Sequence, residues 1–169
     1  MNLAKCRVCF TIKLRMDSPL VVSVRRIAEW LLATVGAAVC IGIAILFWLE
    51  QSSFPGASLW PLPALMLIEV AFLGLAGISA VALIGDERTS QWGSLIWAVS
   101  GGLTALTVIG GFSIGPLLVW AVLAFVLAGV LIDWRIGRKI LYDLGIFTLG
   151  TVCNAAILLL LIVTAGTLR

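Results

Sequence analysis

Five stretches of the chain are apolar almost without interruption, at about 30–49, 60–84, 92–112, 116–132 and 144–166, and short polar connections separate them. A bilayer's hydrocarbon core is ~30 Å thick and an α-helix rises ~1.5 Å per residue, so roughly 20 residues cross it. Each stretch is near that length. None alternates polar with apolar residues as a barrel strand must, and in lipid an isolated segment satisfies its own backbone hydrogen bonds only as a helix. The pattern predicts an all-α integral membrane protein, a bundle of five transmembrane helices.

The fourth stretch is the shortest, and only "SIGP" separates it from the third. A connection this tight predicts antiparallel neighbours in contact along much of their length. Gly110, Gly111 and Gly115 permit the turn, and Pro116 suits a first helical position. A re-entrant pair is the alternative, but both arms are long enough to cross fully. The segment "SGGLTALTVIGGFSIGPLLVWAVLAFVLAGVL" resembles the tightly turned helix pairs of small bacterial inner-membrane proteins, a resemblance that implies no activity.

Charge orients the bundle. Arg25 and Arg26, behind Lys5, Arg7, Lys13 and Arg15, precede the first stretch; Arg88 follows the second; Arg135, Arg138 and Lys139 follow the fourth. The intervening connections, "EQSSFPGAS" and "SIGP", contain no Lys or Arg. The positive-inside rule therefore places the N-terminus and the basic loops in the cytoplasm and, with five crossings, the C-terminus outside. Arg169 alone points the other way. Trp30, Trp48, Trp60, Trp92, Trp134 and Tyr142 mark span ends, where amphipathic rings favour the headgroups. The expected location is the cell membrane, multi-pass, as in a bacterial inner membrane.

Composition agrees with this environment. Hydrophobic residues make up 62% of the chain and charged residues 11%, too few to cover a soluble domain. The net charge of +3 belongs to the loops and sets topology without implying nucleic acid.

Residues 1–17 read as an N-terminal cytoplasmic tail and 18–169 as a single membrane domain. The first span lies too far from the start, and is too long, for a secretory signal, so it reads as an uncleaved anchor. From Ser18 as N-cap and Pro19 at the first position, a helix is expected to continue into that span. Met16 also resembles a second start, which would make residues 1–15 an extension. "CRVC", Cys6 to Cys9, has the spacing of half a zinc site, but the chain has no histidine and Cys40 and Cys153 lie inside spans. No metal or cofactor is expected. "AAVC" at Cys40 is a poor lipoprotein site, since apolar sequence continues beyond it.

One residue breaks the apolar pattern. Glu69 lies nine residues beyond Trp60, roughly 13 Å into the hydrocarbon. A carboxyl group there costs a few kcal/mol and is expected to face the bundle interior. No Lys, Arg or His occurs in any apolar stretch, so nothing in this chain neutralises a charge at that depth, and the uncharged acid is expected. Cys40, Ser100, Thr104, Cys153 and Asn154 fall at similar depth, and Asn154 is the natural partner because its amide both donates and accepts. Three readings stand: a proton- or cation-handling site, a hydrogen bond joining helices, or a contact with a cation on another subunit.

Small residues mark close-packing faces: Ala33, Ala37, Cys40 and Ala44; Ala71, Gly74, Gly77 or Ile78, and Val81; Gly93, Ser100 and Gly102; and Ala121, Ala124 and Ala128. No phosphate loop, nucleophile elbow or HExxH is present. An interfacial site built from Asp86, Glu87 and Arg88 with Asp133, Arg135 and Arg138 is the one catalytic arrangement to weigh, and solvated helix ends are the plainer reading. The expected function is that of an accessory or scaffold subunit, packed against other membrane proteins or a second copy. The alternative is a small oligomeric transporter or ion pathway using Glu69. An enzyme is the least favoured class.

Overall fold

A computed structural model describes residues 19–53, 62–84, 92–111, 114–137 and 140–167. The segment 1–17 with Cys6 and Cys9, Ser18, Trp60, the run Asp86–Glu87–Arg88, Arg138, Lys139 and Arg169 lie outside the described residues.

Those residues form five helices and no strand: α1 (Pro19–Ser52), α2 (Leu62–Leu83), α3 (Gly93–Ile109), α4 (Gly115–Ile136) and α5 (Ile140–Thr167). Four of them, α1, α2, α4 and α5, are long and apolar enough to cross a membrane. At 17 residues α3 is shorter, about 25 Å.

The third and fourth stretches thus exchange rank relative to the sequence expectation, for two local reasons. Gly110 and Gly111 close α3 before its apolar run ends, through Gly110 N–H to Leu106 O at 2.8 Å and Gly111 N–H to Val108 O at 3.3 Å. At the other end, α4 continues a turn past Ile132 because Asp133 and Arg135 both find partners inside the bundle. Gly137 then stops it in the left-handed region, with φ 74° and its N–H bonded to Asp133 O.

Four helices close a ring. Helix α1 packs on α2 and α4, and α3 packs on the same two from the other side. Helix α5 lies outside the ring, against α3.

The centre combines small residues with large aliphatic ones such as Ile96, Leu103, Leu118 and Ile132. Ala33, Ala37, Cys40, Ala80, Ala121 and Ala128 are buried, while Phe72, Leu75, Trp120, Leu127, Leu149 and Leu160 point outward. The small-residue faces read from the sequence are largely the buried ones. Small residues let the backbones approach closely, and van der Waals contact between them holds the helices together. Phe125 is the largest fully buried side chain among the described residues: on α4, its ring lies against Gly36 of α1 and Gly77 of α2, and a Cβ at either glycine would strike it.

The α3–α5 seam is closer still. A Cβ at Gly101 would strike the Phe147 carbonyl oxygen, and one at Gly150 would come within 2.7 Å of the Ala98 carbonyl oxygen. Both obstacles are backbone, which cannot rotate away. Gly101→Ala is therefore expected to lower stability in detergent by about 1–3 kcal/mol. Thermal unfolding checks this, with Gly42→Ala as control, since open space surrounds Gly42.

Candidate functional site

Polar groups enter the bundle at two levels. The deeper is at Glu69, half-buried on α2, and its carboxyl group lies beside the Asn154 side chain of α5. Asn154 also donates through Nδ2 to the Gly102 carbonyl oxygen of α3 at 3.0 Å. Gly102 lies close beneath both neighbours: a Cβ there would approach Leu73 of α2 at 3.3 Å and Asn154 Nδ2 at 3.7 Å. Three helices meet at this amide. Along their helices Glu69 and Asn154 are each 14 residues from the ends at Leu83 and Ile140, about 21 Å.

The other residues singled out at this depth do not join the cluster. Ser100 Oγ donates to Ile96 O and Thr104 Oγ1 to Ser100 O, each at 2.8 Å, so both hydroxyls bond within their own helix. Cys40 is buried in the α1–α2 contact, where its Cβ would be 2.8 Å from a Cβ at Gly74. Cys153 is exposed on α5, and both thiols are free.

The second level gathers at one end of the bundle, where α1, α3 and α5 begin and α2 and α4 end. Three carboxylates there are almost sealed from solvent: Glu29 at 1% exposure, Asp133 at 1% and Asp143 at 0%. Glu29 Oε1 accepts from Arg135 Nε at 3.1 Å, joining α1 to α4. Asp133 Oδ2 accepts from Trp97 Nε1 at 2.9 Å, joining α4 to α3. The Trp97 ring in turn meets Phe147 of α5 edge to face, with centroids 6.4 Å apart. Arg25 stacks over Trp134, its guanidinium carbon 5.0 Å from the ring centroid, a second α1–α4 contact. Asp143 lies in the first turn of α5, where the helix dipole favours negative charge.

This corrects the reading of "DWRIGRK" as a solvated helix end, because Asp133 is buried and Arg135 is spent on Glu29. Periodicity carried a signal that apolarity hid. Asp133 follows Phe125 and Gly129 at intervals of four, Glu29 precedes Ala33 and Ala37 at the same interval, and Asp143 stands four before Phe147. Each acid extends a packing seam one turn beyond the hydrocarbon block. Among the described residues no three His, Cys, Asp or Glu converge as metal ligands.

Comparison with known proteins yields no matching family model, no matching curated protein and no matching solved structure. Function is therefore argued from the helices themselves.

Proposed function

We propose that this chain is a multi-pass protein of a bacterial inner membrane, N-terminus in the cytoplasm and C-terminus outside, that serves as an accessory or scaffold subunit packed against other membrane proteins or a second copy. One observation carries the reading: Glu69, the acid within a span, faces Asn154 of α5, whose amide is itself bonded to α3. Three open grooves, along outer α1, between α1 and α2, and at the α4–α5 corner, include neither Glu69 nor Asn154. Connections this short also leave little room for a soluble active site. The orientation is supported by Arg25, Arg26 and Arg135 gathering at one end, while the described helix ends at the other contain no Lys or Arg.

Gentle detergent extraction from the native membrane tests the reading. Co-purifying membrane subunits or a stable self-assembly are expected, and a chain that migrates alone as a monomer overturns it. Glu69→Gln retains a donor and an acceptor, so its unfolding temperature and assembly are expected to match the natural protein. Glu69→Leu removes the contact with Asn154 and is expected to cost about 0.6–1.7 kcal/mol.

A second reading, a small transporter or ion pathway, is favoured by the incomplete cover of Glu69, whose open side could meet water or a cation. The same pair of variants separates the two in reconstituted vesicles. A pH-dependent flux abolished by Glu69→Gln, with the fold intact, supports the pathway over the scaffold.

A further inference from the structure

We propose that the outer face of α1, at the end carrying the charges, seats an anionic phospholipid with its phosphate on Arg26 and an acyl chain along Ile27 and Leu31. The inference rests on the membrane reading above and is independent of the scaffold role.

Ser23, Arg26, Ile27, Trp30, Leu31 and Thr34 line a shallow open groove. Their spacings of three and four place them on one stripe of the helix. From the helix N-terminus inward the stripe is polar first, at Ser23 and Arg26, and then mainly apolar, at Ile27, Trp30 and Leu31. A phospholipid lying parallel to α1 presents its phosphate to the polar part and its acyl chain to the apolar part.

Among the described basic residues at this end, the neighbouring charges leave Arg26 for a ligand. Arg135 is engaged by Glu29, and Arg25 lies over Trp134. Arg26 is exposed and forms no ion pair with a described residue. Its field reaches Glu29, but that carboxylate is sealed inside the bundle and bonded to Arg135. An arriving phosphate therefore meets positive charge that no described residue pairs at the surface. Trp30, exposed in the same groove between Ile27 and Leu31, suits the boundary between headgroup and acyl chain, where indole rings partition.

The test uses the full chain purified in a neutral detergent and titrated with phosphatidylglycerol or phosphatidylcholine, with bound lipid counted by native mass spectrometry. Phosphatidylglycerol is expected to bind about fivefold more tightly, the increment one basic residue adds at an anionic surface. Arg26→Gln is expected to erase the preference, and so is Ser23→Asp, which sets a negative charge at the groove mouth. Arg169→Gln is expected to leave it unchanged. Excess inorganic phosphate is expected not to displace the lipid, because it offers nothing to Ile27 and Leu31. Equal binding of the two lipids, a preference that survives both variants, or displacement by phosphate overturns the proposal. So does an acidic protein that co-purifies through Arg26 in place of lipid. Protein that needs detergent yet ignores headgroup charge removes the groove and leaves the membrane reading standing, whereas protein released from membranes by plain buffer removes the membrane reading itself.

Discussion

Phe125→Ala is expected to be among the most damaging single truncations in the bundle, lowering stability in detergent by about 2–4 kcal/mol. In a soluble core, truncating phenylalanine costs about 3–5 kcal/mol, part of it the lost transfer of apolar surface from water. Between membrane helices that part largely disappears, since lipid is as apolar as the core. What remains is the lost contact of the ring with its surroundings and the void it leaves. Here the remainder is large, because Gly36 and Gly77 contribute no side chain that could swing into the space. Phe125→Leu is expected to recover part of the loss, and Phe72→Ala, at an exposed ring on α2, to cost little. Thermal unfolding monitored by size-exclusion chromatography reads all three. A Phe125→Ala protein as stable as the natural one would mean that the helices collapse inward over the gap, contrary to backbones already held close.

The five helices were legible in the sequence because hydropathy acts on whole blocks, and a block of about 20 apolar residues has few alternatives. Which faces pack was legible too, since Ala33, Ala37 and Cys40, or Ala121, Ala124 and Ala128, repeat at intervals of three and four. Pairing was harder to read. Nothing in "GGLTALTVIGG" says that α3 belongs both to the ring and to the α5 seam, because Gly101 and Gly102 lie on adjacent faces that suit many partners. The Glu69–Asn154 contact was accessible through depth, which narrows the candidates, and through the amide's capacity both to donate and to accept, which favours Asn154. Ser100 and Thr104 stand at equal depth, yet their hydroxyls satisfy themselves on the preceding turn. The charged end was misread because charge near a span boundary was equated with solvent. An acid in step with a packing seam follows the seam inward, and Glu29, Asp133 and Asp143 all do.

Arg135→Met is expected to destabilise the protein by about 2–3 kcal/mol, more than the reciprocal change Glu29→Gln. Removing one partner of a buried ion pair leaves the other charge uncompensated, which costs about 3–5 kcal/mol in a sealed site. The two sides of this pair are not equally sealed: the Glu29 side chain is 2% exposed and that of Arg135 is 21%. If Glu29 is neutralised, Arg135 extends toward the headgroups and keeps its hydration. If Arg135 is lost, the Glu29 carboxylate stays inside α1 and α4 with only the more distant fields of Arg25 and Arg26 to offset it. The partly open position of Arg135 argues for the lower end of the range. The double variant Glu29→Gln with Arg135→Met is expected to be more stable than Arg135→Met alone, because the stranded charge is gone. A double-mutant cycle on unfolding temperatures measures this coupling. If the two single losses simply add, Glu29 and Arg135 act independently and the α1–α4 closure depends instead on Phe125 and on Arg25 over Trp134.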